Sequence, residues 1–218
     1  MKYKLVLFDL DGTLLDTLDD LSEAVNYALG LRGFPLHSPD EYRKMVGHGI
    51  RNLVTQALPA ERQADEVLID GALADFKAYY TAHIDIHTHP YPGMQDLVNR
   101  LHREGVFLAI TSNKFQEGTE YLIGKFFLGI PFVAVLGNRP GYPLKPDPEI
   151  VGEVLRRTGV RPEDAVLVGD SPTDMKTAVN GGIASIAVSW GYRPMKDYPD
   201  LTVVDTAEEL FSYFCSCQ

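Results

Sequence analysis

The stretch Leu5-Val6-Leu7-Phe8-Asp9-Leu10-Asp11-Gly12-Thr13 decides how this chain is read. An apolar run closed by acidic residues and a glycine reads as a buried parallel strand that ends in a turn. In an extended chain, residues two apart point the same way, so Asp9 and Asp11 project together from the strand's carboxyl end. In open α/β sheets that edge binds ligands. Two carboxylates aimed into one crevice repel each other, and burial disfavours their ionisation. A bound divalent cation accounts for such a pair, and so does a division of roles into nucleophile and proton carrier.

Four further apolar runs resemble the first: Val106 to Ile110, Phe132 to Leu136, Ala165 to Val168 and Ile183 to Val188. Helical patterns lie between them, as in Met94 to Leu101. Strands alternating with helices predict right-handed crossovers and a parallel, Rossmann-like α/β sheet. Residues 16–89 break that rhythm. Thr17 to Leu31 places Leu18, Leu21, Val25, Ala28 and Leu29 on one face, with Thr17 and Asp20 spaced for a capping box. Ser38-Pro39-Asp40-Glu41 reads as a second helix start, and helical patterns run on through 50–58 and 61–80 with no convincing strand. The expectation is an α/β catalytic core formed by 1–15 and 90–218, with a small helical cap over 16–89 inserted after the first strand and hinged at both ends.

Composition narrows the function classes. The chain has 218 residues, of which 45% are hydrophobic and 23% charged, as in an ordinary globular protein. A formal charge of −10 argues against general nucleic-acid binding, which needs a basic face. Small anionic substrates stay possible, because a local cation can dominate a site. No apolar run approaches the ~20 residues of a membrane span. The N-terminal run is interrupted at Asp9, unlike a signal peptide. Both cysteines, Cys215 and Cys217, sit at the extreme C-terminus, so no disulfide staples the fold, and they read as solvent-facing tail thiols. A cytoplasmic location is expected; nothing in the sequence fixes the oligomeric state.

Three more strand ends carry polar groups: Thr111-Ser112-Asn113, then Lys145-Pro146-Asp147-Pro148 after a loop rich in glycine and proline, then Gly169-Asp170-Ser171-Pro172-Thr173-Asp174. Carboxylates, one lysine, and a hydroxyl beside an amide suit phosphoryl transfer. Magnesium takes oxygen ligands, while the phosphoryl oxygens need cationic and hydrogen-bonding partners. Each cluster alone is an ordinary turn or helix start; it is their joint order that carries the chemistry.

That ordered set, Asp9-x-Asp11-Gly12-Thr13, Thr111-Ser112-Asn113, Lys145-Pro146 and Gly169-Asp170-Ser171-x-x-Asp174, resembles the haloacid dehalogenase-like hydrolase superfamily over essentially the whole chain. The inserted helices look like the capped subclass that includes phosphoglycolate phosphatases and β-phosphoglucomutases. The resemblance implies that Asp9 is the nucleophile and a magnesium ligand, and that Asp11 is general acid then base, its carbonyl also touching the metal. It implies that Thr111 hydrogen-bonds the phosphoryl group with the Asn113 backbone, that Lys145 neutralises it and orients Asp9, and that Asp170 and Asp174 complete the metal site. Thr111, Ser112, Asn113 and Lys145 form the substrate-binding set. Dehalogenating members lack an acid at the position of Asp11, so the chain looks like a phosphotransferase.

In the expected cap, Gly47-His48-Gly49-Ile50-Arg51 is a loop in which His48 or Arg51 is a candidate reader of the substrate's distal group. The histidines at 83, 87 and 89 look metal-like but fall in the linker, and Tyr79 and Tyr80 read as packing. The expected function is a Mg2+-dependent phosphatase acting on a small phosphorylated metabolite, phosphoglycolate-phosphatase-like. A phosphomutase using the same intermediate, or a catalytically silent binding protein on the same scaffold, are the alternatives.

Overall fold

The computed structural model describes residues 1–216. The chain opens with strand β1 (Leu5–Phe8), passes through a two-residue strand β2 (Leu15–Asp16), and enters four helices: α1 (Leu18–Gly30), α2 (Pro39–Arg43), α3 (Ile50–Ala57) and α4 (Glu66–His83). It returns through strand β3 (His89–Pro90) to helix α5 (Met94–Arg103) and strand β4 (Phe107–Phe115). Helix α6 (Gln116–Phe126), strand β5 (Ala134–Asn138), helix α7 (Glu149–Thr158), strand β6 (Ala165–Gly169) and helix α8 (Pro172–Asn180) follow. Strand β7 (Ala184–Val188), strand β8 (Val203–Val204) and helix α9 (Ala207–Cys215) end the described chain.

The six strands order as β5-β4-β1-β6-β7-β8, every pair parallel. Alternation splits their side chains between two apolar layers. Val6, Phe8, Leu108, Ile110, Val166 and Val168 pack with Leu97 and Leu101 of α5 and Leu210 and Phe214 of α9. Leu5, Leu7, Ala109, Leu136 and Leu167 pack with Ile150, Val151 and Val154 of α7. Covering both faces explains why these strands read as continuous apolar runs. After β1 the chain builds outward through β4 and β5, then crosses to β6 on the other side of β1. Strand order therefore reverses around β1, and the crevice at such a reversal is where α/β sheets bind ligands.

The segment between β1 and β4 is helical, as its periodicity predicts. Helix α1 packs against α4 and α2, and α3 packs against α4. Three local expectations change. The pattern over 61–80 splits into a short 3-10 turn at Ala60–Arg62 and α4, which starts only after Asp65 caps it by accepting from the Leu68 N–H at 3.0 Å. Two short strands do occur: Leu15 pairs with Pro90 and Asp16 with His89, antiparallel, where the chain leaves and re-joins the core.

The capping box at Thr17 and Asp20 does not form either. The Thr17 hydroxyl donates to Asp11 at 2.7 Å, and the Asp20 carboxylate reaches across to the returning segment. Buried there, Asp20 accepts from the His87 N–H at 2.9 Å, the Thr88 N–H at 2.8 Å and the Thr88 hydroxyl at 2.7 Å. Asp20→Ala leaves those donors unpaired and is expected to cost about 3 kcal/mol, read as a lower urea midpoint at unchanged slope. The Ser38 box is present, with the Glu41 carboxylate accepting from the Ser38 N–H at 2.8 Å. Among the described residues no helix is long and apolar enough to cross a membrane. Cys215 is exposed, and Cys217 lies outside the described residues.

Candidate active site

Register brings the site together. Phe8 pairs with Ile110 on one side and Val168 on the other, so the next residues, Asp9, Thr111 and Gly169, stand level at the carboxyl edge. The Asp9 N–H continues the ladder, donating to Val168 at 2.9 Å. Beyond β5, the loop carrying Lys145 is tied to this edge by Asn113, whose Oδ1 accepts the Lys145 N–H at 2.8 Å and whose Nδ2 donates to the Lys145 carbonyl at 3.1 Å. At the start of α8, Ser171 caps the helix and its N–H donates to Asp174 at 3.1 Å, which fixes that carboxylate. Gly12 is required by close approach: a Cβ there would lie 2.4 Å from Asp170 Oδ2, and its φ is +84°.

Lys145 is the hub. Its buried Nζ donates to Asp9 Oδ1 at 2.8 Å, Asp174 Oδ1 at 2.6 Å and the Thr111 carbonyl at 2.8 Å. One ammonium thus faces two carboxylates directly, with Asp170 close by. Oxygens of Asp9, Asp170 and Asp174 all lie within 4.8 Å of one another. Burial pushes the Asp9 carboxyl up to about 7, with Asp174 and Asp11 adding to the rise and Lys145 opposing it. Burial, then Asp174 and Asp9, also hold Asp170 well above the usual carboxylate range. Burial pulls the Lys145 ammonium down, but Asp174 and Asp9 outweigh it and keep it above its ordinary value. Buried hard oxygen donors with a surplus of negative charge fit a divalent cation of the magnesium type.

Asp9, Asp11, Ser112, Asn113, Lys145, Asp170 and Asp174 line one pocket, facing Val46, Ile50 and Leu53 from the helical segment. Thr111 is not on that wall. Its hydroxyl is buried without a partner among the described residues, while the neighbouring Ser112 lines the crevice. Strand β4 continues to Phe115 instead of ending at Ile110, with a register irregularity against β5 after Thr111, and the parallel register leaves Thr111 on the same face as Asp9. Thr111→Val should lower turnover by about tenfold with stability unchanged or higher, because it removes an orphaned hydroxyl that stands level with Asp9. Ser112→Ala should lower turnover by about tenfold to a hundredfold, as expected for one lost hydrogen bond to a charged group. Steady-state kinetics on both variants check the two.

His48 and Arg51 are not brought into the pocket. Ile50, Leu53, Val54 and Ala57 form the buried face of α3, which turns Arg51 outward. There it pairs with Asp70 at 2.6 Å and with Glu66, both on α4. His48 is exposed. Of the histidines expected in the linker, His83 instead ends α4 and bonds the Tyr79 carbonyl at 2.8 Å, while His89 bonds the His87 carbonyl at 2.8 Å.

Four residues outside the sequence motifs join the site. Lys114, buried, pairs with Asp11 at 3.2 Å and donates to the Tyr80 hydroxyl at 2.6 Å. Tyr80 comes from α4, so this contact spans the helical segment and the sheet. The Tyr192 N–H donates to Asp170 at 2.6 Å, and Arg193 lines the pocket. Lys114 directly follows Thr111-Ser112-Asn113 and was within reach of the motif; the other three carry no local pattern.

The chain matches the model of the haloacid dehalogenase-like hydrolases over residues 6–188. It is 34% identical over 213 residues to a phosphoglycolate phosphatase of Mesorhizobium japonicum, covering 96% of this chain and 94% of that protein. Phosphoglycolate phosphatase 1 of Pseudomonas aeruginosa is 34% identical over 212 residues, covering 95% of this chain and 78% of that protein. A crystal structure from Lactobacillus delbrueckii subsp. bulgaricus, provisionally assigned as a phosphoglycolate phosphatase, superposes with a TM-score of 0.90 at 34% identity, covering 98% of this chain and 99% of that one.

Proposed function

The chain belongs to the haloacid dehalogenase-like hydrolases and is a phosphatase, and from that premise we propose that it hydrolyses a small phosphorylated metabolite through an aspartyl-phosphate on Asp9, with magnesium. The relatives named for phosphoglycolate make 2-phosphoglycolate the first substrate to test. The observation that carries the reading is the Lys145 ammonium bridging Asp9 and Asp174 beside Asp170 at the sheet's ligand edge.

Asp9, Asp170 and Asp174 would hold the magnesium ion, which offsets charge on the phosphoryl oxygens when bound. Lys145 donates to one oxygen of Asp9 only; Oδ2 receives no hydrogen bond from the described residues and is the attacking atom. Thr111, Ser112, the Asn113 backbone and Lys145 hold the phosphoryl oxygens. Asp11 protonates the departing oxygen, then takes a proton from the water that cleaves the acyl phosphate, which regenerates Asp9. Residues 16–89 act as a cap whose aliphatic wall of Val46, Ile50 and Leu53 excludes water and favours a short organic group.

The test is an acid quench of an Asp11→Asn variant turning over p-nitrophenyl phosphate, whose leaving group departs without an acid, so that only the second step, which needs the base, is blocked. A phosphoryl group is expected on the peptide containing Asp9. Its appearance on a serine or histidine instead would overturn the assignment, and interconversion of β-glucose 1-phosphate without phosphate release would make the protein a mutase.

A further inference from the structure

Arg193 lines the pocket, yet among the described residues it lies within ion-pair distance of none of the site's carboxylates. Its guanidinium points across the crevice to main-chain oxygens of the helical segment. Nη2 donates to the carbonyl of Lys44 at 2.9 Å and of Val46 at 2.7 Å, and Nη1 donates to the carbonyl of Arg43. Next along the chain, the Gly47 carbonyl accepts from Asn113 Nδ2 at 2.9 Å. Carbonyls at and after a helix end have no partner within the helix. Here two side chains of the sheet edge supply them.

The loop that presents Arg193 is itself fixed. The Tyr192 N–H donates to Asp170 at 2.6 Å, and the Tyr192 hydroxyl accepts from the Thr17 N–H at 2.8 Å. Gly191 packs so tightly that a Cβ would lie 2.2 Å from Asp170 Cβ and 2.4 Å from the Gly12 carbonyl. Arg193 is thus aimed by a rigid support built on the reacting edge. The segment that it grips runs directly into Gly47, Gly49 and Ile50, which cover the pocket.

We infer that Arg193 is a positioning residue that latches residues 43–47 onto the sheet edge and thereby sets how small a substrate the site retains. A planar guanidinium can serve several acceptors from one fixed position, whereas a lysine offers a single centre. A short substrate contributes few contacts to hold the covering segment and depends on the latch. A bulky aromatic phosphate must displace that segment and does not. This rests on reading the crevice as a phosphatase site.

The experiment uses the magnesium-loaded protein and its Arg193→Met and Arg193→Lys variants. Amide hydrogen exchange over residues 44–50 is expected to speed up about tenfold or more in Arg193→Met, with β1 and β4 unchanged. KM for 2-phosphoglycolate should rise about tenfold with kcat within about threefold, and p-nitrophenyl phosphate should be cleaved at least as well as before. Arg193→Lys should recover part of both effects, and it carries the exchange measurement if Arg193→Met does not fold. Unchanged exchange over 44–50 would overturn the latch, even if KM rose. Faster exchange with an unchanged KM would overturn its role in substrate selection. Failure of all these proteins, wild type included, to cleave either phosphate would instead count against the phosphatase reading, while the exchange data still judge the latch.

Discussion

Asp9→Asn is expected to lower phosphate release by about 10⁴-fold or more while the protein stays folded. The amide cannot attack phosphorus to form an acyl phosphate, and binding contacts alone do not replace a covalent step. The fold should survive because the substitution removes a charge that the site tolerates poorly. Burial pushes the Asp9 carboxyl up to about 7, so in metal-free protein the folded state keeps a proton that the unfolded state loses near its ordinary value of 3.8. A raised folded value favours folding below the unfolded one, and that contribution is lost as pH rises through about 7. In EDTA, the melting temperature of Asp9→Asn relative to wild type should therefore climb between pH 5 and pH 8. Melting curves at the two values, with and without magnesium, check the sign. An advantage that shrinks with pH, or more than a few per cent of wild-type turnover, contradicts the assignment.

Lys145→Met carries the largest expected loss of stability. The ammonium is buried and bonded to Asp9, Asp174 and the Thr111 carbonyl. Removing it leaves buried carboxylates without their cation, and breaking such a pair from one side costs about 3–5 kcal/mol. For a domain of this size that corresponds to roughly a 10 °C fall in melting temperature. The loss should be greater at pH 8 than at pH 5, because protonation relieves the carboxylates at the lower pH. Magnesium should return part of it by replacing one cation with another. Turnover should fall by about 10³-fold, since the group that neutralises the phosphoryl oxygens is gone. A variant melting within about 2 °C of wild type at pH 8 would show that the lysine is not the hub of the site.

Legibility in the sequence followed local physics. The strands declared themselves because both faces of the sheet are buried, which turns each into an unbroken apolar run. Asp9 and Asp170 were conspicuous because each directly follows an apolar strand, whereas Lys145 lies in the loop after β5 and Asp174 in the first turn of α8. At Thr111 the surroundings were not legible: its hydroxyl is buried level with Asp9 while Ser112 lines the pocket, and nothing in the residue types announces that β4 will run on through polar residues. At Thr17 and Asp20 the capping spacing was real, but longer-range partners, Asp11 for one and the 87–88 backbone for the other, took the side chains. Arg51 looked like a substrate reader from its place beside two glycines, yet the apolar face of α3 turned it toward Glu66 and Asp70. Tyr80 and Arg193 were out of reach for a different reason. Their contacts join the helical segment to the core, and Arg193 grips backbone carbonyls, which leave no mark in residue types.

The measurement that tests the central claim most directly is inorganic phosphate release from 2-phosphoglycolate, pyrophosphate, hexose phosphates and nucleotides, each with magnesium and with EDTA. Release from a small substrate that requires magnesium and vanishes in EDTA is the predicted result. No release from any of them with magnesium, or release undiminished in EDTA, would contradict the account.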